Sequence, residues 1–213
     1  ILAVFGIRIG SHITMLGGIE ANRPEVLPDD INEVADASPL RTLDRDAEAR
    51  MIEEIDATKR AGDTLGGTFE VVATGVPVGL GSHVSWDRKL DGRIAHAMMS
   101  IQAMKGVEIG LGFEAARRRG SLVHDEIEND ASLPLTGGFR RTRNNAGGLE
   151  GGITTGAPLV VRVAMKPLSS LMQPLKSVDI RTGDVGDAIR ERSDVVALAA
   201  AGVVGEAMLA IVL

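Results

Sequence analysis

Cysteine is absent from the 213 residues, so disulfides, a thiolate nucleophile and Cys-ligated zinc are all excluded. The same absence suits a reducing cytoplasm. Aromatic residues are scarce: one Trp, four Phe and no Tyr, 2% of the chain. A core must therefore come from Val, Ile, Leu, Ala and Met, and the 44% hydrophobic content is enough to build one. A flat ligand would find few rings to stack on and would meet backbone, Met or Pro surfaces instead. Positive charge is not in excess. The net charge is −6, which disfavours general nucleic-acid binding. No secretory leader is visible. The chain opens on Ile1, and Ile1 to Ile9 already reads as core, so it is expected to be cut from something longer.

The length fits one large domain or two small ones. Val4 to Ile19 reads as a long strand or hairpin, and Asn22 to Leu43, rich in acids and Pro, as loop. Asp44 can cap a helix running to about Arg60, with Ala47, Met51, Ile52 and Ile55 on one face. Asp46/Arg50 and Asp56/Arg60 add i,i+4 pairs, and Gly62 ends the helix. Thr68 to Pro77 alternates as a strand. Leu90, Ile94, Ala97, Met98 and Ile101 form a second helical stripe, and Lys105 to Gly110 a further strand. Glu114 to Ser132 and Thr136 to Arg143 read as charged connections, Ala157 to Met165 as a strand and Val203 to Leu213 as an apolar helix. Strands and helices joined by hairpins predict a mixed α+β fold. Val196 to Leu213 approaches transmembrane length. Glu206 near its middle favours a helix buried in a layered core over a membrane span.

Several segments could carry chemistry. Asn144 to Gly156 is the densest glycine stretch; its backbone N–H groups could converge on a ligand, or it could be a set of tight turns. Lys166-Pro167-Leu168-Ser169-Ser170 follows a strand and can hold a phosphate by charge and hydroxyl bonds, or be a solvated turn. Glu191-Arg192-Ser193-Asp194 sets a forked cation and a carboxylate before the terminal helix, or is a cap with a surface pair. Gly62 to Gly67 is a ligand turn, or a structural loop in which Asp63 bonds its own backbone. The basic clusters Arg117-Arg118-Arg119 and Arg140, Arg141, Arg143 are solvated loops, or recognise a phosphorylated substrate or a neighbouring subunit. His12 reads as a satisfied core residue and His96 as exposed. No two histidines share metal-ligand spacing in one element, and no metal is expected.

Taken together, Phe5-Gly6-Ile7 with Ser11-His12, the Gly62–Gly67 turn, the block from Met98 to Gly110 (MMSIQAMKGVEIG), Asn145 to Gly156, Lys166 to Ser170, Arg192-Ser193-Asp194 and Glu206-Ala207-Met208 resemble chorismate synthases in residues, order and spacing. The resemblance covers nearly the whole chain. It implies a β-α-β sandwich with helices between antiparallel sheets, a homotetramer and a cytoplasmic location. It implies a lyase of the shikimate pathway, serving aromatic amino acid biosynthesis. The reaction is the anti-1,4-elimination of phosphate from 5-enolpyruvylshikimate 3-phosphate to give chorismate, with reduced FMN as cofactor. NADP enters where a member reduces its own flavin. Neither nucleic acid nor membrane is an implied partner. Carried over by motif, Gln102 and Ala103 line the flavin site and Gly151 lets the backbone approach it. Lys166, Pro167, Leu168, Ser169 and Ser170 hold FMN, Arg192 lies at flavin and substrate, and Asp194 assists proton movement. The expected catalytic residues are thus Asp194 and Arg192.

Departures from the family pattern are equally specific. Its "GESHG" block, an Arg-rich substrate segment and an "R-x-S-x-R-x-T" block have no counterpart in the 213 residues and are expected before Ile1. They carry the family's two acid/base histidines and most arginines that grip the substrate phosphate. Thr64 replaces the usual Ser, Leu168 a common Thr, and Val196 and Ala199 the more usual Cys and Pro. Residues 1–213 therefore read as a single incomplete domain, the C-terminal portion of such an enzyme. The rival reading is a catalytically incompetent structural or assembly fragment.

Overall fold

The strands of the central sheet form where β-branched and apolar residues are buried in runs or in alternation, while shorter hairpins lie at the surface. In chain order they are β1 (Arg8–Leu16), β2 (Ile19–Glu20), β3 (Gly67–Thr74), β4 (Met104–Ile109), β5 (Ile127–Asn129), β6 (Phe139–Arg141), β7 (Leu149–Glu150), β8 (Ile153–Thr154), β9 (Leu159–Met165), β10 (Lys176–Val178) and β11 (Val185–Asp187). The helices are α1 (Ile31–Ala35), α2 (Arg45–Ala61), α3 (Leu90–Met99) and α4 (Leu198–Val212). The computed structural model describes residues 1–133 and 136–213. Five strands make one antiparallel sheet in the order β2-β1-β3-β9-β4. The pairs β5–β6, β7–β8 and β10–β11 are separate hairpins. The class is α+β, with helices layered on antiparallel sheet.

One face of the sheet buries Ile13, Phe69, Val71, Leu159, Val161 and Val163, and α4 lies on it through Leu198 and Leu209. The approach is close because position 205 is glycine: a Cβ there would stand 3.0 Å from both the Phe69 ring and Val71. Glu206, in the middle of α4, accepts from Ser11 Oγ at 2.5 Å and Asn32 Nδ2 at 2.9 Å, and pairs with Arg41 at 3.0 Å. Its charge is met inside the protein, as the buried-helix reading of Val196–Leu213 requires. No helix among the described residues is long and apolar enough to cross a membrane. The helix starts at Leu198 rather than Val203, because Ala199 to Ala201 extend it at little cost.

The opposite face packs Val72 and Val160 against Ile31 of α1. That short helix lies inside the stretch expected to be loop; Asp30 caps it by accepting from the Asn32 and Glu33 N–H groups. β2 pairs with β1 only at Met15 and Leu16, so the rest of that edge needs other partners. Asn32 Oδ1 accepts from Ser11 N at 3.1 Å, and the Arg41 carbonyl accepts from Ile13 N at 2.9 Å. The exposed edge is thereby closed to further strands.

Other details depart from the sequence reading. Leu2–Phe5 is a 3-10 turn, and the first hairpin begins only at Arg8. In α2, Ala47 and Met51 are buried but Ile52 is turned outward. Arg45 pairs with Glu48, and neither expected i,i+4 pair forms among the described residues. In the basic clusters, Arg117 and Arg118 meet Glu114, Arg140 meets Glu128 and Asp130, and Arg141 meets Glu150. Those charges are largely answered locally.

Candidate functional site

Three segments distant in sequence meet at the end of β9. The first is the turn after α2. Asp63 Oδ1 accepts from Thr64 N at 2.8 Å, which is the self-bonding loop its sequence suggests. Thr64 Oγ1 then donates to the Leu168 carbonyl at 2.6 Å, and Leu65 N donates to the Val195 carbonyl at 2.8 Å. The second segment is the exit from β9. Lys166 N donates to the Ala103 carbonyl at 3.0 Å, and Gln173 N donates to the Gly62 carbonyl at 3.0 Å. The third is the approach to α4, where Ser193 Oγ donates to the Ser170 carbonyl at 2.8 Å.

These bonds frame a cavity of about 430 Å3 whose wall includes Asp56, Lys59, Asp63, Thr64, Ser170, Arg192, Ser193 and Asp194. Arg192, Asp194 and Ser170 thus stand at one cavity, with Lys166 and Ser169 exposed on the same loop. Leu168 contributes through its carbonyl, and Pro167 packs against Gly66, where a Cβ would stand 2.9 Å from its ring. Lys59, Lys166 and Arg192 make no ion pair among the described residues, in contrast to the arginine clusters. Lys59 and Arg192 stand at the cavity beside Ser170 and Ser193, where such cations and hydroxyls can receive an anion, with Asp56, Asp63 and Asp194 on the same wall.

Gln102 and Ala103 occupy the turn after α3. Ala103 holds φ 68, a left-handed backbone that a residue with a Cβ rarely adopts. That strain turns its carbonyl toward Lys166 N. Gly151 is elsewhere: it lies in the β7–β8 turn with φ 60 and open space where a Cβ would be. The neighbouring Gly152 carbonyl accepts from Leu90 N at 3.0 Å, which sets this turn at the start of α3, whereas Ala103 follows its end. A helix of that length separates the two by about 15 Å. The chain as folded does not bring Gly151 to the other site residues.

Sequence reasoning missed Asp56 and Lys59. Both are charged residues on the outer side of a long helix, a pattern that any solvated helix shows, so no local signal marks them. Thr64 carried a faint one in the Gly62–Gly67 turn.

Comparison with known proteins follows the same outline. The family model described as chorismate synthase matches residues 1–213. Chorismate synthase of Geobacter metallireducens is 57% identical over 213 residues, covering 99% of this chain and 54% of that protein. Chorismate synthase of Salinispora tropica is 57% identical over 209 residues, covering 98% and 52%. A solved structure described as a crystal structure of chorismate synthase superposes with a TM-score of 0.79 at 46% identity, covering 99% of this chain and 56% of that one. The chain spans about half the length of the curated relatives it matches.

Proposed function

The chain belongs to the chorismate synthase family, and from that premise we propose that the cavity at Ser170, Arg192 and Asp194 is the cofactor side of an active site that makes chorismate. In the reaction, a C–O bond of 5-enolpyruvylshikimate 3-phosphate breaks to release phosphate and a ring C–H bond gives up its proton. A new C=C bond forms, with no net redox change. Reduced FMN, when bound, supplies electron density that eases the departure of phosphate. The observation that supports this reading is the Ser193–Ser170 bond of 2.8 Å, which ties Ser170, the last residue of one motif, to the Arg192–Asp194 motif at one cavity.

The residues present suit an anionic cofactor. Lys166 balances its charge, and Ser169 and Ser170 offer hydroxyl donors. Gln102 and the strained Ala103 present backbone beside Lys166, while Pro167 and Leu168 hold the loop against the α2–β3 turn. Gly151 offers an open backbone from the far end of α3. Arg192 supplies a forked cation toward cofactor and substrate. Asp194 holds or moves a proton as the ring C–H bond breaks. The reading extends to a homotetramer in the cytoplasm, as the family resemblance implies; Trp86 and Ile211, both exposed and at one surface cavity, are candidates for a subunit contact, since exposed apolar patches mark interfaces.

The same exposed side chains, with the lack of a "GESHG" block in the 213 residues, favour a second reading in which this chain alone is a scaffold without turnover. The two are separated by anaerobic titration with reduced FMN and single-turnover release of chorismate. In a full-length family member bearing these residues, Lys166→Ala raises the dissociation constant for reduced FMN about tenfold to a hundredfold. Asp194→Asn keeps FMN and loses turnover. The 213-residue chain alone yields no chorismate. Normal FMN binding by Lys166→Ala, or full activity of Asp194→Asn, overturns the placement of the flavin.

A further inference from the structure

The sheet face that carries α1 also carries a row of charge across four strands. His12 of β1 stands opposite Glu70 of β3, Glu70 opposite Arg162 of β9, and Arg162 opposite Glu108 of β4. His12 and Glu70 are deeply buried, 3% and 4% exposed. Arg162 Nε donates to Glu108 Oε2 at 2.7 Å. Arg23, in the loop after β2, reaches over the row with its Nε 3.3 Å from Glu70 Oε2, and His12 Nε2 is 3.5 Å from the same oxygen. Both contacts lie beyond the usual hydrogen-bond range. Glu70 Oε2 and His12 Nε2 are each buried without a hydrogen bond among the described residues. His12 is therefore a core residue, as its sequence setting suggests, but not a satisfied one. A buried carboxylate oxygen left without a donor is costly unless something else supplies one.

A cavity of about 340 Å3 is lined by Glu70 together with Arg23, Leu111, Glu114, Val160 and Arg162 among others. It has none of the lining residues of the cavity at Ser170 and Arg192. Its two other carboxylates nearby are already answered. Glu108 is held by Arg162 and by the Phe113 N–H, and Glu114 by Arg117 and Arg118. The terminal nitrogens of Arg23, and Nη1 of Arg162, make no hydrogen bond among the described residues. What the cavity offers is two free guanidinium edges, the Glu70 carboxylate, which accepts no hydrogen bond among the described residues, and apolar surface from Leu111 and Val160.

An inorganic anion would use the guanidiniums but lie against Glu70. A simple amine would use Glu70 but lie against two guanidiniums. A molecule bearing carboxylate and ammonium on adjacent atoms satisfies both, and Leu111 and Val160 then call for a hydrocarbon side chain. We propose that this cavity binds a small α-amino acid with an apolar side chain, its carboxylate on Arg23 and Arg162 and its ammonium on the Glu70 carboxylate. The bidentate match of guanidinium to carboxylate sets the orientation. The ammonium supplies hydrogen-bond donors to the carboxylate that lines the cavity.

Isothermal titration of the 213-residue chain with L-leucine and L-phenylalanine tests this, beside 4-methylpentanoate, which lacks the ammonium, and 3-methylbutylamine, which lacks the carboxylate. At least one amino acid binds at millimolar concentration or below, and each truncated analogue of leucine binds about tenfold or more weakly than leucine. Arg23 is half exposed, so Arg23→Ala keeps the fold, which circular dichroism checks, and weakens binding about tenfold to a hundredfold. Arg23→Lys keeps the charge but not the fork and recovers only part of it. No heat from either amino acid overturns the proposal. So does 4-methylpentanoate binding as tightly as leucine, which makes the cavity an anion site, or an Arg23→Ala chain that binds unchanged.

Discussion

Glu70 shows how one side chain couples the sheet to solution conditions. Burial pushes its carboxyl upward, but the adjacent His12 and the charges of Arg23, His12 and Arg162 together outweigh burial and hold it below the ordinary glutamate value. A carboxylate held low in the folded state stabilises the protein above its unfolded value, about 4.3. That stability is lost as pH falls through the folded value. Thermal melts between neutral pH and pH 3 should therefore fall more steeply for the native chain than for Glu70→Gln, which starts lower and changes less. Parallel curves for the two proteins would show that Glu70 carries no such linkage. Legibility at this scale was uneven. Arg192, Asp194 and Lys166 were picked out by their resemblance to family motifs, since the residues by themselves fit a solvated turn or a helix cap with a surface pair as well. The left-handed Ala103 was not readable as strain, because nothing in its residue type announces φ 68. Lys59 was hidden for the opposite reason, being ordinary in its place.

Among the elements, α2 was the most legible, and its cap explains why. Asp44 accepts from Ala47 N and Asp46 N, each at 3.0 Å, and also from Asn22 N at 2.8 Å. The Ala47 and Asn22 bonds hold its carboxyl below the usual aspartate range. Asp44→Ala should cost about 1 kcal/mol, while Asp44→Asn, which still presents an acceptor, should cost much less. Urea denaturation distinguishes them, and equal losses would mean that charge, not capping, is what matters. The helix α1 escaped the sequence reading because a single short turn among prolines and acids has too few residues to show a period. The hairpins β7–β8 and β10–β11 escaped because two- and three-residue strands carry no measurable alternation. The central strands were plain, since each buries β-branched or aromatic residues in a continuous run or in alternation.

At the scale of the whole molecule, the sheet order β2-β1-β3-β9-β4 is what assembles the site, and no local pattern encodes it. Thr64 and Leu168, joined at 2.6 Å, are 104 residues apart in sequence. Only their resemblance to known motifs hinted that they belong together. The same topology throws out the β10–β11 hairpin, whose residues are exposed throughout, with Ile180 fully so. Brief trypsin treatment should cut first in this hairpin, at Arg181, because exposed loop tips are the preferred sites of nicking. The two fragments should then stay together on gel filtration, since α4 remains packed on β1 and β3. A first cut in α2 or α3, or separation of the fragments, would contradict this view of the fold. The hairpin also leaves and returns at one place: Ala188 N bonds the Leu175 carbonyl at 2.9 Å, just beyond the Ser193–Ser170 tie. The hairpin can therefore accept an insertion at its tip without disturbing what it emerges from. A fluorescent domain spliced in at Thr182–Gly183 would sit at the end of a stalk whose base adjoins the cavity wall, marking the protein while leaving the cavity open.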